Sequence, residues 1–80
     1  MSGAGAKEPN AMKLEYDRQA DAIYIRLKEA EVANTRELDE NVIVDLDAHG
    51  RMVGIELLFV SDYLSAEDID SFTVTNLRGT

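Results

Sequence analysis

The sequence predicts an α+β fold, a small antiparallel β-meander of four to five strands with one short C-terminal helix. Three observations predict it. Apolar residues recur at every second position through Met12, Leu14, Tyr16 and again through Ile23, Ile25, Leu27, the period of a strand with one buried face. Turn-forming stretches at 17–21, Asp39-Glu40-Asn41 and His49-Gly50 separate the apolar runs by intervals too short for the crossover that parallel strands require. After Val60 the period is lost, and Ser65-Ala66-Glu67-Asp68 carries the cap and first-turn acids of a helix start.

The elements follow in order. Residues 1–11 are rich in Gly and Ala, hold the one proline, Pro9, and show no period. A disordered leader is expected there, with a single small domain over 12–80. Met12, Leu14 and Tyr16 alternate with Lys13, Glu15 and Asp17 to make the first strand. The second sets Ile23, Ile25 and Leu27 against Tyr24, Arg26 and Lys28, in residues that favour sheets. Val32 to Leu38 is a more polar strand, with Ala33, Thr35 and Glu37 on one face, and is expected at an edge. Val42 to Asp47 is apolar almost throughout, and His49-Gly50 turns the chain back into Met52, Val53, Ile55, Leu57 and Phe59. Ser65 then caps a helix of two or three turns, an alternative placing the helix over 59–64. Phe72-Thr73-Val74-Thr75 again prefers a strand.

A sheet with one short helix leaves a face uncovered, and a chain this small buries only about 60% of its unfolded surface. A homodimer is therefore expected, either sheet on sheet or by exchange of the Phe72–Val74 tail.

Composition narrows the function classes. The 80 residues are 45% hydrophobic and 30% charged, enough for a core and a charged surface. Without Cys there is no disulfide framework, thiolate metal site or cysteine nucleophile. His49 is the one histidine, which removes His-pair metal sites and leaves a Ser-His-Asp triad a single candidate base. No GxGxxG, P-loop or GxSxG motif opens a helix, so no cofactor and no catalytic set is expected. No apolar run approaches the roughly 20 residues of a membrane helix, and no signal peptide is visible; a cytoplasmic protein is expected.

Charge constrains the partners. The formal net charge is −8, and the basic residues stand singly while the acids cluster at Asp17/Asp21, Glu37/Asp39/Glu40, Asp45/Asp47 and Glu67/Asp68/Asp70. Phosphate backbones are bound by clustered Lys and Arg, so direct contact with nucleic acid or an anionic membrane is disfavoured and a basic protein partner is favoured. The plainer alternative is that the acidic surface serves solubility alone.

Three groups of residues are candidates for chemistry. From Asp45 to Glu56 the chain places Asp45, Asp47, Gly50 and Glu56 at the spacing of an EF-hand loop, where oxygen ligands surround Ca²⁺. Against this, His49 offers nitrogen where a hard cation takes oxygen, and both flanks read as strands rather than helices. The alternative is a hairpin with solvated acids and a left-handed Gly50. Asp45, Asp47 and His49 also alternate, so on one strand face they are weak candidates for a divalent-metal site or an acid–base pair, with Glu56 in support. Asp17, Asp21 and Tyr24 form a second polar group, whose plainer role is turn closure. Tyr24, opposite the apolar side of its strand, and Phe72 and Val74 in the tail are the candidates for partner contact.

These segments resemble a family of small bacterial proteins, the domain of unknown function 2283 family. The resemblance lies in Met12-Lys13-Leu14-Glu15-Tyr16-Asp17, Ala20-Asp21-Ala22-Ile23-Tyr24-Ile25-Arg26-Leu27, and Val42-Ile43-Val44-Asp45-Leu46-Asp47 through Gly50-Arg51-Met52-Val53-Gly54-Ile55-Glu56-Leu57-Leu58, with Thr35-Arg36-Glu37-Leu38 as the intervening strand. It spans about Met12–Val60. The family typically has an acid where this chain has His49, which sets His49 apart from any shared chemistry. The resemblance implies no established reaction or cofactor. Relatives encoded beside small toxin-like proteins imply an antitoxin-like role, in keeping with the acidic charge. The leading expectation is thus a non-enzymatic acidic protein-interaction module. The alternatives are a divalent-metal binder or metal-assisted enzyme built on Asp45, Asp47 and His49, and a self-assembling structural protein.

Overall fold

A computed structural model describes residues 12–77; the expected leader lies outside the described residues. Five strands, β1 (Lys13–Asp17), β2 (Ala22–Arg26), β3 (Asn34–Asp39), β4 (Val42–Leu46) and β5 (Met52–Leu58), form one antiparallel sheet. The antiparallel sheet with one short helix agrees with expectation, while the class is mostly β rather than α+β, the helix being five residues long. The strand order does not follow a simple meander: it is β1-β2-β5-β4-β3, with β5 inserted between β2 and β4.

Polarity explains that order. All six residues of β3 are exposed, and β1 half-buries only Leu14, so neither strand suits a position covered from both sides. Both lie at edges, where charged side chains also discourage pairing with other chains. β5, the longest strand, takes the centre. The β2–β3 connection crosses the ends of β5 and β4: the Leu27 N–H donates to the Val53 carbonyl at 2.7 Å, and Ala33 N–H to Leu46 at 2.8 Å.

Register sorts the side chains into two faces. Leu14, Ile25, Ile55 and Val44 align across four strands and end at Arg36; Tyr16, Ile23, Leu57 and Val42 form the next row. This is the apolar face. The opposite face carries Glu15, Tyr24, Glu56, Ile43 and Glu37 in one row and Lys13, Arg26, Gly54, Asp45 and Thr35 in another. The buried apolar side chains are Ala22, Ile23, Val44, Val53 and Val60. Full burial of a Val or Ile contributes about 1.5–3 kcal/mol, so this small core leaves little margin.

The chain leaves β5 through Phe59, left-handed at φ 54°, into a 3-10 turn at Val60–Asp62. Val60 is fully buried and anchors the segment. The alternative helix over 59–64 thus corresponds to this single turn. Ser65 is the N-cap of α1 (Ala66–Asp70) as expected: its hydroxyl accepts from the Asp68 N–H and the Asp68 carboxylate accepts from the Ser65 N–H, completing a capping box. The helix is shorter than the two or three turns expected: five residues, none of them buried. Its extension would run into Phe72-Thr73-Val74-Thr75, a β-branched and aromatic run that loses side-chain freedom in a helix.

That run forms no strand either, contrary to its preference. It lies against the apolar face, where Phe72 and Val74 share a cavity of about 130 Å³ with Met12, Leu14 and Ile25, and all of 71–77 is exposed. Its backbone joins no strand, although the neighbouring β1 is an edge strand. Among the described residues no helix is long and apolar enough to cross a membrane.

Candidate functional site

The polar face is organised around Tyr24. Its ring reaches diagonally across β5 over Gly54, and its hydroxyl donates to Asp45 Oδ2 on β4 at 2.8 Å. Thr35 on β3 donates its hydroxyl to Asp45 Oδ1, also at 2.8 Å. One carboxylate thus ties β2, β4 and β3 together across the top of β5. The bridge needs glycine below it, because a Cβ at position 54 would collide with the Tyr24 hydroxyl and ring. Burial first, then the bond to Asp45 and its charge, raise the Tyr24 phenol above its ordinary value and keep it a donor. The Arg26 guanidinium lies 5.6 Å from the centre of the same ring, in cation–π range.

Beside Tyr24 is an open hollow of about 220 Å³, lined by Glu15, Tyr16, Asp17, Tyr24 and Glu56 with Ala20 and Ala22. Register explains the grouping: Glu15 and Glu56 flank Tyr24 on the neighbouring strands, and Asp17 is two positions from Glu15 on the same side of β1. Glu15 and Glu56 make no ion pair among the described residues, whose one ion pair, Lys28–Asp47, lies elsewhere. Asp17 accepts from the Gln19 and Ala20 N–H groups at 3.1 and 3.2 Å, closing the β1–β2 turn. Three carboxylates lining one open hollow suit an ammonium or guanidinium group presented from outside.

The Asp45/Asp47/His49 group does not come together. Asp45 faces Tyr24 and Thr35, whereas Asp47 caps the β4–β5 turn: its Oδ1 accepts from the His49 and Arg51 N–H groups, both at 2.9 Å, and its Oδ2 from Lys28 Nζ at 2.9 Å. His49 is exposed in the turn. Gly50 is left-handed, at φ 81°, and strands flank the loop where an EF-hand has helices. Among the described residues no three His, Cys, Asp or Glu side chains gather as a metal set would.

The bond from Lys28, with those from Arg51 and His49, holds the Asp47 carboxyl well below the usual carboxylate range. A depressed folded-state pKa stabilises the fold above the ordinary value of the unfolded chain, and that contribution is lost as pH falls below it. The expected result is that wild type loses stability between about pH 5 and pH 2 more steeply than Asp47→Asn. Urea unfolding across that range checks it; equal slopes would show that the turn contributes nothing through ionisation.

Asp17, Asp21 and Tyr24 likewise divide. Asp21, left-handed at φ 57°, accepts from the Ser61 N–H at 3.0 Å and the Ser61 hydroxyl at 2.7 Å, forty positions away. Its own carbonyl accepts from Val60 N–H at 3.0 Å. Asp21 therefore fixes the point where the C-terminal segment leaves the sheet. Phe72 and Val74 sit on the apolar face, away from Tyr24.

Residues 13–61, more than half of the chain, match the family described as Protein of unknown function (DUF2283). The chain belongs to this family. No curated protein and no solved structure matches it. The DUF2283 span holds all five strands, the Tyr24–Asp45–Thr35 bridge over Gly54, and both partners of the Asp21–Ser61 bond. It ends at Ser61, so α1 and the tail lie beyond it. Sequence reading singled out neither Gly54 nor Thr35 as part of a site, nor Ser61 as a partner of Asp21. The one available signal was the two-residue period that put Glu15 and Tyr24 on outward faces.

Proposed function

We propose that this DUF2283 protein is a non-enzymatic protein-interaction module that binds a basic protein, in an antitoxin-like role, through the polar face of its sheet. The observation that carries this reading is the hollow beside Tyr24, lined by the carboxylates of Glu15, Asp17 and Glu56, of which Glu15 and Glu56 have no ion pair among the described residues. The net charge of −8 adds long-range attraction for a cationic surface. A basic side chain entering the hollow gains several partly shielded contacts at once, a stronger arrangement than an isolated surface pair.

The test is capture from the native host at endogenous level, with wild type and Glu15→Gln/Glu56→Gln compared. A small basic protein should co-purify with wild type at near-equal stoichiometry, and the double variant should bind it roughly tenfold more weakly. Recovery of the chain alone, or equal affinity in the double variant, would overturn the reading.

A further inference from the structure

We infer that the apolar face of the sheet is a self-complementary surface for a second copy of this chain, each copy's C-terminal arm filling the other's open groove. The inference concerns the face opposite the Tyr24 hollow and stands independently of it. The arm, α1 and the tail, lies on the β1–β2 half of this face, where Ala66, Ile69 and Asp70 line one hollow with Tyr16 and Arg18, and Phe72 and Val74 line another with Met12, Lys13, Leu14 and Ile25. The β4–β3 half is left as a groove of about 220 Å³ lined by Arg36, Leu38, Val44, Leu46, Gly50 and Met52. Leu38 is 64% exposed in it and Met52 48%, while on the arm Phe72 is 65% and Val74 81% exposed.

One face therefore carries an apolar ridge on one half and an apolar hollow on the other. A two-fold axis running along β5, between two facing sheets, sets each ridge over the partner's hollow. This is an isologous arrangement, and it closes at two copies. The net charge of −8 on each copy opposes association, and local pairing offsets part of it. Arg36 is the charged residue of the groove, and the arm brings Glu67 and Asp70, neither of which has an ion pair among the described residues. The opposite face suits this pairing less: under the same axis Glu15 on β1 would lie over the other copy's β3, which carries Glu37, and Glu56 on β5 would lie over its own copy.

Area sets the strength. The sheet spans roughly 19 Å between its edge strands and roughly 17 Å along them, about 320 Å² in projection. Two such faces bury about 640 Å² before the relief of the arm is counted, so the contact lies below the roughly 1,200 Å² of standard specific interfaces and is weak. The dimer therefore dissociates on dilution.

Sedimentation velocity of the full chain between about 1 and 200 μM reads this out. Wild type should pass from monomer to dimer, and Leu38→Asp and Phe72→Asp should each weaken the dimer at least about tenfold. Both sites are exposed in the monomer, so far-UV circular dichroism should stay unchanged. Glu37→Lys, on the opposite face, should dimerise as wild type does. A monomer at every concentration, a dimer indifferent to both Asp variants, or a dimer lost in Glu37→Lys would overturn the inference.

Discussion

Gly54→Ala should lower the stability of the domain by about 1–3 kcal/mol, the cost of forcing an extra methyl group into a packed site. The effect is large for a chain whose buried apolar side chains are Ala22, Ile23, Val44, Val53 and Val60. The added Cβ meets the hydroxyl and ring of Tyr24, so the ring must lift and its bond to Asp45 is strained or lost. Tyr24→Phe removes that bond while leaving the ring over position 54, and should cost about 0.5–1.5 kcal/mol by itself. The decisive comparison is Gly54→Ala in a Tyr24→Ala background. With the ring gone, the Cβ has room, and alanine in a strand interior should then stabilise by about 0.5–1 kcal/mol relative to glycine. Urea unfolding of the four proteins measures the coupling. If Gly54→Ala costs as much without the ring as with it, the close approach of Tyr24 is not the reason glycine stands there.

Asp21→Ala should destabilise by about 2 kcal/mol, combining roughly 1 kcal/mol for a left-handed alanine with the loss of two exposed hydrogen bonds to a carboxylate. The bonds run to the N–H and hydroxyl of Ser61, beside the fully buried Val60. Two further variants separate the causes. Asp21→Gly keeps the backbone conformation and loses the bonds; Asp21→Asn keeps both the conformation and an acceptor. Stability should fall in the order wild type, Asn, Gly, Ala. Hydrogen exchange should quicken at Val60, Tyr63 and Leu64, whose N–H groups are bonded to Asp21 or within the turn that Asp21 anchors. Unchanged exchange at these amides in Asp21→Ala would show that the contact has no part in holding the arm.

The two variants probe features that differ in how far the sequence shows them. The outward placement of Tyr24 followed from its alternation with Ile23 and Ile25, and the turn at Gly50 from its neighbours. That Tyr24 would pass over Gly54 to reach Asp45 required the register of β2 on β5 and of β5 on β4, which no local pattern carries. Asp21 read as a turn residue, and it is one; its bond to a serine forty positions away had no signal along the chain. The Asp45/Asp47/His49 grouping failed for a related reason. Alternation predicts a shared face only while the strand continues, and β4 ends at Leu46. Asp47 is already in the turn, committed to backbone N–H groups and Lys28.

Local chemistry by itself determined the strands, the turns between them and the cap at Ser65, because periodicity, glycine conformation and capping act over a few residues. Acidic charge and the absence of cysteine bounded the chemistry in the same way. Tertiary structure decided what depended on competition between distant segments. β5 took the centre because the polar β3 belongs at an edge. The Phe72–Thr75 run, strand-prone by composition, lay instead with Phe72 and Val74 over Leu14 and Ile25 and paired with no strand. Strand propensity reports what a residue does once a partner strand is present, and only the packed sheet decides whether one is.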